Sequence, residues 1–434
     1  MRQQLVSPGA SELSYEIRGI VKKADQLQAL GHTIYWENIG DPIQKNWKLP
    51  DWIKDILAEL VWEDKSYGYS HSMGDPEVRQ FLAERNNRNG GTNIEADDIL
   101  FFNGLGDGIA KLYQFIDPTS RIIGPSPAYS THSSGEAAHA NASPLVYTLN
   151  PNKNWYPDMD DLHNQINYNP YIVGILLINP DNPTGMVYPL EILKQFVELA
   201  REFDLFLISD EIYGAITYNG ARHYPLAEVI EDVPGIALKG MSKDLPWPGS
   251  RCGWMEFYNR GSDRVFQRLY ETLANAKMLE VCSTTLPQMA IPRIYGDERF
   301  TQYRLEANEK IGKRSQLIAS LLGDIEFLYF NPTNGAFYNT IIFKPGVLKD
   351  HQSLAIEDEQ AAALLETWLS EDNIKPDKRF VYYLLAAKGV CVVPISSFCS
   401  DLLGFRVTLL EENEQTLEET FRRIREAVIE YCQS

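Results

Sequence analysis

Cysteine is scarce in this sequence, and no spacing pattern connects its few copies. Five cysteines are spread over 434 residues, and the seven histidines are equally scattered. A disulfide framework would need an even, closely spaced set of cysteines, and a zinc site would need spacings such as CxxC or HExxH. Because neither pattern occurs, we expect no metal site and a reducing, cytoplasmic environment.

Long apolar runs are missing as well. The run Ile175–Ile178, even when extended across Gly174 to Tyr171, is far shorter than the roughly 20 residues that a membrane-spanning helix needs. Residues 1–14 mix Gln, Ser, Pro and Glu and lack the apolar stretch and small-residue cleavage site of a secretory signal. We therefore expect neither a membrane span nor a signal peptide.

Basic residues are fewer than acidic residues in this sequence. Forty Lys and Arg residues stand against 59 Asp and Glu residues, for a formal net charge of −19. Such a chain repels the phosphate backbone of nucleic acids and the anionic face of membranes, so neither is an expected partner. Hydrophobic residues at 44% and charged residues at 23% are ordinary for a globular protein and exclude general disorder.

The middle of the chain alternates between two periodicities. Apolar runs at 171–178 and 205–208 are typical of strands buried on both faces, and between them apolar residues recur at helical spacing from Leu190 onward. Strand, helix and strand in this order predict a βαβ unit. Similar runs at 99–102 and 121–123 predict further strands, so this region is expected to be α/β with a mostly parallel sheet.

The C-terminal part has a different pattern. A long helix is predicted near 306–322, and a terminal helix presents one apolar face from Leu417 to Tyr431. Short strands are predicted between helices at 327–330, 335–343 and 390–393. This mixture is typical of an α+β unit.

The change of pattern divides the chain into two expected domains. At about 150 residues per domain, this length allows two or three of them. We predict a large domain over 66–325 and a smaller one formed by 1–65 together with 326–434.

Four short motifs follow one another along the chain. They are Asn179–Gly185 (NPDNPTG), Asp210–Tyr213 (DEIY), Ser242–Lys243 with Arg251 behind it, and Phe405–Val407 (FRV). Each alone is weak evidence, because the first is foremost a turn and the second could simply end a buried strand. Together, in this order and spacing, they resemble the class I and II, fold-type-I aminotransferases that use pyridoxal phosphate. The resemblance covers nearly the whole chain.

The resemblance implies a fold, a cofactor and a reaction. The implied fold is α/β, a three-layer large domain with a mostly parallel sheet plus a smaller α+β domain, in a homodimer that shares active sites between subunits. The implied cofactor is pyridoxal 5′-phosphate, bound to Lys243 as a Schiff base. An L-amino acid of alanine, aromatic or neutral type gives up its nitrogen, and a 2-oxo acid such as 2-oxoglutarate or pyruvate takes it in a ping-pong cycle.

Four residues match the family positions around the cofactor ring. The Lys243 amine can condense with an aldehyde and, once freed, can move the Cα proton. A carboxylate such as Asp210 keeps a ring nitrogen protonated, so that the ring accepts electrons. Tyr213 and Asn182 match donors to the ring oxygen. Each residue also has an ordinary alternative. Lys243 could be a solvated surface lysine and Asp210 a helix or turn cap. Tyr213 could be core packing and Asn182 a turn former.

A second group of residues matches the phosphate position. Gly104, Leu105 and Gly106 form a glycine-rich turn into a helix, whose backbone N–H groups can face an oxyanion. Ser242 adds a hydroxyl, and Arg251 adds a fork of donors that suits phosphate. Taken alone, Arg251 could also be a surface charge between two turns. The family often has a small or hydroxyl residue where Leu105 stands, so one side-chain contact is in doubt. A turn without a ligand would use the same glycines.

Four further positions match by resemblance. Tyr129 corresponds to the aromatic ring that stacks on the cofactor, and Tyr69 to the tyrosine that reaches the phosphate in the neighbouring subunit. Arg406 corresponds to the arginine that holds the substrate α-carboxylate, and Gly40 to the segment that closes over substrate. Taken alone, Tyr129 could pack under its loop and Tyr69 could be an aromatic residue of a turn. Arg406 could form a surface ion pair, and Gly40 could be a plain turn glycine.

The choice among family members depends on weaker signals. The segments Tyr15–Gly19, Ile39–Pro42 and Trp155–Asp158 resemble the alanine/tyrosine branch, especially bacterial glutamate–pyruvate transaminases. Two alternatives stay open: a carbon–sulfur β-lyase of the same fold, and, from another class, a cofactor-binding regulatory module without catalysis.

Overall fold

The computed structural model describes residues 5–13 and 17–434. Two residues of the branch-specific segment named above, Tyr15 and Glu16, lie outside the described residues. The α-helices of the described chain, numbered in order, are α1 Ile17–Ala29, α2 Asp51–Val61, α3 Pro76–Asn89, α4 Leu105–Phe115, α5 Ser130–Ala140, α6 Met159–Tyr168, α7 Leu190–Glu202, α8 Leu226–Val229, α9 Met241–Asp244, α10 Arg264–Glu280, α11 Thr285–Tyr295, α12 Glu298–Leu322, α13 Glu359–Leu369, α14 Pro376–Lys388 and α15 Glu414–Gln433.

The strands are β1 Tyr35–Trp36, β2 Ile99–Phe102, β3 Arg121–Ser126, β4 Val146–Asn150, β5 Tyr156–Pro157, β6 Ile172–Ile178, β7 Phe206–Asp210, β8 Gly235–Gly240, β9 Gly253–Tyr258, β10 Leu328–Tyr329, β11 Tyr338–Phe343, β12 Val390–Cys391, β13 Val393–Pro394 and β14 Gly404–Thr408. Short 3₁₀ turns lie at Pro8–Glu12, Ile43–Lys45, Asp64–Tyr67, Ala96–Asp98, Pro151–Lys153, Pro248–Ser250 and Ile395–Phe398.

Eight strands form one large sheet in the order β2-β9-β8-β7-β6-β3-β4-β5. The central pairs β8·β7, β7·β6, β6·β3 and β3·β4 are parallel, whereas β9 and β5 run antiparallel to their neighbours. The segment β6-α7-β7 is the predicted βαβ unit. The expectation of a mostly parallel sheet is confirmed.

Side chains alternate between the two faces of this sheet. Ile175 and Leu177 join the core beneath α7, whereas Leu176 between them joins the core beneath α4 and α10. Since successive residues of a strand point to opposite faces, both faces need a covering layer of helices. The large unit therefore has the expected three layers.

A second, antiparallel sheet has the order β10-β11-β14-β13, and β1 pairs with β12 in parallel. Its core combines α1 with α12 to α15 and includes Tyr213 and Ile216 from the middle of the chain. The expected smaller α+β unit is therefore confirmed. The division at 66–325 remains a prediction.

Several helices and strands begin or end at residues other than the predicted ones. The long helix begins at Glu298 rather than near 306, because the Asp297 side chain accepts a hydrogen bond from the Arg299 N–H and caps it there. The strand predicted at 335–343 begins at Tyr338, since Ala336 before it has a φ of 51°, outside the extended region. The strand predicted at 390–393 is two short strands in two different sheets.

In residues 5–13 and 17–434, no helix is both long and apolar enough to cross a membrane. Within the same ranges, no group of three or more His, Cys, Asp and Glu side chains is placed to hold a metal ion.

Candidate active site

The predicted site residues meet at one edge of the large sheet. Asp210 ends β7 and pairs with Ile178, which ends β6 just before the NPDNPTG turn. Lys243 follows the end of β8 within the short helix α9. The carboxyl ends of parallel strands share one edge, where open α/β sheets form their crevices. The fold thus brings together motifs that lie far apart in the sequence.

Asp210 is buried, and its carboxylate has two defined partners. One oxygen lies 2.9 Å from Nε2 of His132, and the other accepts a hydrogen bond from the Ile212 N–H at 3.1 Å. His132 is buried on α5, one turn after Tyr129, and the two rings are nearly perpendicular with centroids 6.5 Å apart. Tyr129 and His132 therefore stand on the same side of the site as Asp210.

The NPDNPTG turn contains a second buried carboxyl group. One Asp181 oxygen accepts hydrogen bonds from the backbone and hydroxyl of Thr184, and its other oxygen has no hydrogen-bond partner. Burial, with a smaller contribution from the charge of Asp210, raises the pKa of Asp181 to about 7. The turn thus carries a carboxyl group that titrates near neutral pH.

Arg406 lies in the middle of β14 and is buried at 3% exposure. Its guanidinium donates to the side-chain oxygen of Asn182 at 3.2 Å and to the backbone carbonyl of Asn38. The carbon of the guanidinium lies 4.4 Å from the ring centre of Tyr338 and 4.8 Å from that of Phe398. A surface ion pair, the ordinary reading of this arginine, is excluded by these contacts.

Lys243 contacts the segment that contains Gly40. Its Nζ donates to the Gly40 carbonyl at 2.7 Å and lies 5.9 Å from the ring centre of Tyr213 and 5.5 Å from that of Phe337. A solvated surface lysine would not have these partners. The amine therefore lies between the Gly40 segment and the rings of Tyr213 and Phe337.

Tyr213 and Tyr338 share a hydrogen bond between their hydroxyl oxygens, which are 3.1 Å apart. Both side chains are buried. Burial, followed by the neighbouring Tyr338, raises the pKa of Tyr213 well above its usual value, so its phenol remains a proton donor at neutral pH.

The glycine-rich turn lies directly against Arg251. Gly104 precedes α4 with a φ of 84°, and a Cβ placed on it would lie 2.4 Å from a guanidinium nitrogen of Arg251. A side chain is thus excluded both by conformation and by space. The Arg251 guanidinium also donates to the Asn103 carbonyl at 3.4 Å. Beside it the first N–H groups of α4, on Leu105 and Gly106, lie at the positive end of the helix.

Two predicted cofactor residues, Ser242 and Tyr69, are not buried in the site of the single chain. Ser242 is half-buried in α9, immediately before Lys243. Tyr69 is 86% exposed on the surface, in a segment whose Gly68 carbonyl accepts a hydrogen bond from Thr285. The single chain therefore does not bring Tyr69 into its own site.

The donor set fits pyridoxal phosphate. Arg251, the N-terminus of α4 and a Gly104 whose Cβ position is already filled form a cradle suited to a phosphate group. Asp210 suits a protonated ring nitrogen, and Tyr213 suits a ring oxygen. The Lys243 amine suits an aldehyde.

Sequence reasoning missed three residues of this site. His132, Asn38 and Tyr338 contact Asp210, Arg406 and Tyr213 respectively. A signal existed for His132, because it stands one helical turn after Tyr129. The contacts of Tyr338 and Asn38 join residues that are far apart in the sequence. No local sequence pattern predicts such contacts.

Comparison with known proteins agrees with this geometry. The family model for aminotransferase class I and II matches residues 35–424. The chain is 51% identical over 434 residues to an uncharacterized aminotransferase of Methanocaldococcus jannaschii, covering 100% of both chains. It is 35% identical over 376 residues to an alanine aminotransferase of Mycobacterium tuberculosis, covering 84% of this chain and 86% of the other.

A solved structure shares the whole fold. The alanine aminotransferase of Pyrococcus furiosus superimposes with a TM-score of 0.84 at 26% identity, covering 98% of this chain and 100% of that one. The family match spans most of the sequence and includes all four motifs. The chain belongs to the class I and II aminotransferases and is a transaminase that depends on pyridoxal phosphate.

Proposed function

We propose that this enzyme transfers the amino group of a small neutral L-amino acid, alanine first among them, to a 2-oxo acid such as 2-oxoglutarate or pyruvate. The support is the set of relatives named for alanine, including a glutamate–pyruvate aminotransferase of Escherichia coli at 29% identity over 333 residues, covering 75% of this chain and 79% of that one. These relatives do not favour the carbon–sulfur lyase.

The observation that carries the assignment is the placement of Lys243 and Arg406 against the same short segment, residues 38–40. The Lys243 amine and the Arg406 guanidinium donate to the carbonyls of Gly40 and Asn38, two residues apart on one segment. An α-amino acid presents an amine next to a carboxylate. We propose that Arg406 binds the carboxylate bidentately, which places the Cα–H bond within reach of Lys243.

The other residues tune the cofactor in this proposal. When bound, pyridoxal phosphate supplies an aldehyde that condenses with amines and a ring that accepts electrons. Asp210, oriented by His132, holds a proton on the ring nitrogen, and Tyr213 with Asn182 donates to the ring oxygen. Tyr129 stacks on the ring.

We assign the phosphate to the cradle at the start of α4. The backbone N–H groups of Leu105 and Gly106, the hydroxyl of Ser242 and the Arg251 guanidinium provide the donors, and Gly104, whose own N–H donates to the Phe102 carbonyl, leaves room for the phosphate. The left-handed backbone of Arg251, with a φ of 46°, is typical of residues held in strained conformations at functional sites.

We further propose a homodimer in which Tyr69 completes the partner's phosphate site. Tyr69, at 86% exposure, and Trp62, at 88%, are large side chains that the single chain leaves exposed. The hydrogen bond from Thr285 to the Gly68 carbonyl, 2.8 Å long, holds the segment of Tyr69 against the start of α11. Exposed large apolar side chains are common where a second chain binds.

Location and domain limits also remain proposals. We propose that the enzyme works in the cytoplasm, which suits the free thiols of all five cysteines. We keep the large domain at 66–325 and the small domain at 1–65 with 326–434.

Replacement of Lys243 tests the assignment. Lys243→Ala removes the amine that holds the cofactor and moves the proton, so the absorbance of the Lys243-bound cofactor disappears and kcat falls by about 10⁴-fold or more. Absorbance spectra and steady-state kinetics provide the measurement. The matched control is Lys313→Ala, since the Lys313 side chain is 72% exposed and its loss leaves both readouts unchanged. A Lys243→Ala protein that kept the absorbance and turned over would contradict the assignment.

The substrate class has its own test. The cofactor-loaded enzyme is mixed with single L-amino acids, and conversion of the cofactor to its amine form is followed by absorbance. Alanine and glutamate react if the proposal holds. Hydrolytic release of pyruvate, ammonia and hydrogen sulfide from cysteine without any oxo acid would instead favour the lyase.

A further inference from the structure

Tyr338, which no sequence motif marked, touches three parts of the site at once. Its hydroxyl lies 3.1 Å from that of Tyr213, and its ring centre lies 4.4 Å from the guanidinium carbon of Arg406. A Cβ on Gly40 would come within 1.8 Å of the same hydroxyl oxygen. Tyr338 is 3% exposed, so these contacts are made away from solvent.

The shared hydrogen bond can run in two directions, and each direction has a different consequence. A phenol has one proton to donate. If Tyr213 donated to Tyr338, the Tyr213 proton would be engaged in the hydrogen bond between the two tyrosines. If Tyr338 donates to Tyr213, the proton of Tyr213 remains free for an acceptor in the site, and donation within a chain of hydroxyls strengthens the next hydrogen bond.

We propose that Tyr338 is a positioning residue for transamination, whose hydroxyl directs the Tyr213 proton toward the cofactor ring oxygen and whose ring supports the Arg406 guanidinium. This inference rests on the proposed roles of Tyr213 and Arg406. It adds a residue that links the ring-oxygen donor to the substrate-carboxylate site.

Tyr338→Phe tests the role of the hydroxyl. A donor to the ring oxygen stabilises its anionic form and thereby lowers the proton affinity of the nitrogen through which Lys243 holds the cofactor. Tyr338→Phe weakens that donor, so the pKa of this nitrogen rises, by about half to one pH unit for one lost hydrogen bond. The pH dependence of the absorbance of the cofactor-loaded enzyme reports this pKa directly. Tyr213→Phe raises it further.

The double variant separates a positioning role from a general structural effect. If Tyr338 acts through Tyr213, then Tyr213→Phe/Tyr338→Phe has the pKa of Tyr213→Phe alone, whereas independent effects would add. Tyr218→Phe is the matched control, because the buried Tyr218 hydroxyl bonds to Thr333 and Gly335 outside the pair. Its absorbance pKa remains that of the wild type.

The ring has a separate readout in the Michaelis constant. Tyr338→Leu removes the aromatic face under Arg406, so KM for the amino acid rises about 3- to 30-fold, whereas Tyr338→Phe leaves KM within twofold. Circular dichroism melting shows whether Tyr338→Leu folds. The tests that use Tyr338→Phe and Tyr213→Phe do not depend on the Leu variant.

Failure of this inference and failure of the proposed function give different experimental outcomes. An unchanged absorbance pKa in Tyr338→Phe, or additive shifts in the double variant, would overturn the role of the hydroxyl. An unchanged KM in folded Tyr338→Leu would overturn the role of the ring. A wild-type enzyme that bound no cofactor at Lys243 would instead contradict the proposed function itself.

Discussion

Gly40 has room for a hydrogen atom and nothing larger. A Cβ there would lie 1.8 Å from the Tyr338 hydroxyl oxygen, and the Gly40 carbonyl accepts the Lys243 hydrogen bond at 2.7 Å. Gly40→Ala must therefore displace either its own segment or Tyr338. Because displacements of about 1 Å in an active site can cost 100-fold in rate, we expect kcat/KM to fall by about that factor.

Steady-state kinetics with saturating cofactor measure the effect of Gly40→Ala. The matched control is Gly261→Ala, since a Cβ on Gly261 meets nothing within 4 Å and its kcat/KM remains within twofold of the wild type. A Gly40→Ala enzyme within threefold of the wild type would show that the segment tolerates displacement.

Single residues of the site could be predicted where a motif carries them. The carboxylate of Asp210 and the amine of Lys243 each stand in a short motif, and the structure buries the first and points the second into the site. Tyr338 stands in no such motif, because its importance arises when β11 meets the DEIY segment. Long-range contacts of this kind leave no local periodicity.

At the scale of elements, the NPDNPTG turn has a pH-sensitive stability. Burial raises the pKa of Asp181 from 3.8 to about 7, so the folded state binds its proton more tightly than the unfolded state. The stabilisation is fully present below about pH 4 and is lost as the pH rises through 7. Above pH 7 the folded state holds a buried charge.

Asp181→Asn imitates the protonated carboxyl group at every pH. We expect the variant to match the wild type at pH 4 and to melt at a higher temperature at pH 8, with a gain of the order of 3 kcal/mol. Thermal melts of both proteins at the two pH values provide the comparison. Equal melting temperatures at pH 8 would show that the Asp181 carboxyl keeps an ordinary pKa.

Element boundaries were predictable to the extent that local chemistry sets them. The strand at 99–102 is found at those residues, because its four side chains are all buried in a continuous apolar run. The run at 390–393 was misread as one strand, since Val390 pairs toward β1 and Val393 toward β14. Which sheet a strand joins is decided by tertiary contacts, and the apolar run Val390–Val393 is compatible with both.

For the whole molecule, the net charge of −19 describes the surface and not the site. Arg406 is 3% exposed, and the half-buried Lys243 donates to the Gly40 carbonyl, so these cations create positive potential where solvent screens them less than at the surface. A negative exterior is therefore compatible with a site for two small anions, a phosphate and a carboxylate. The charge count describes the exterior and carries no information about the interior.

The proposed sharing of active sites belongs to the scale of the whole molecule, because it involves two chains. Tyr69 is 86% exposed, yet the resemblance assigns it to a phosphate site. If it completes the partner's site, each active site combines Lys243 of one subunit with Tyr69 of the other. Tyr69→Ala and Lys243→Ala proteins would each be impaired, the first by at least tenfold through loss of a hydrogen bond to phosphate.

Mixed dimers of these two variants decide the question. In a mixed dimer one site lacks both residues and the other has both, so re-associating equal amounts restores about a quarter of the wild-type sites. Activity after mixing is compared with the mean of the two parents, and sedimentation confirms the dimer. Tyr168→Ala, which removes a tyrosine that is 82% exposed elsewhere, is the control and remains fully active alone. If Tyr69 acts within its own chain, mixing restores nothing, because no site then combines an intact lysine with an intact tyrosine.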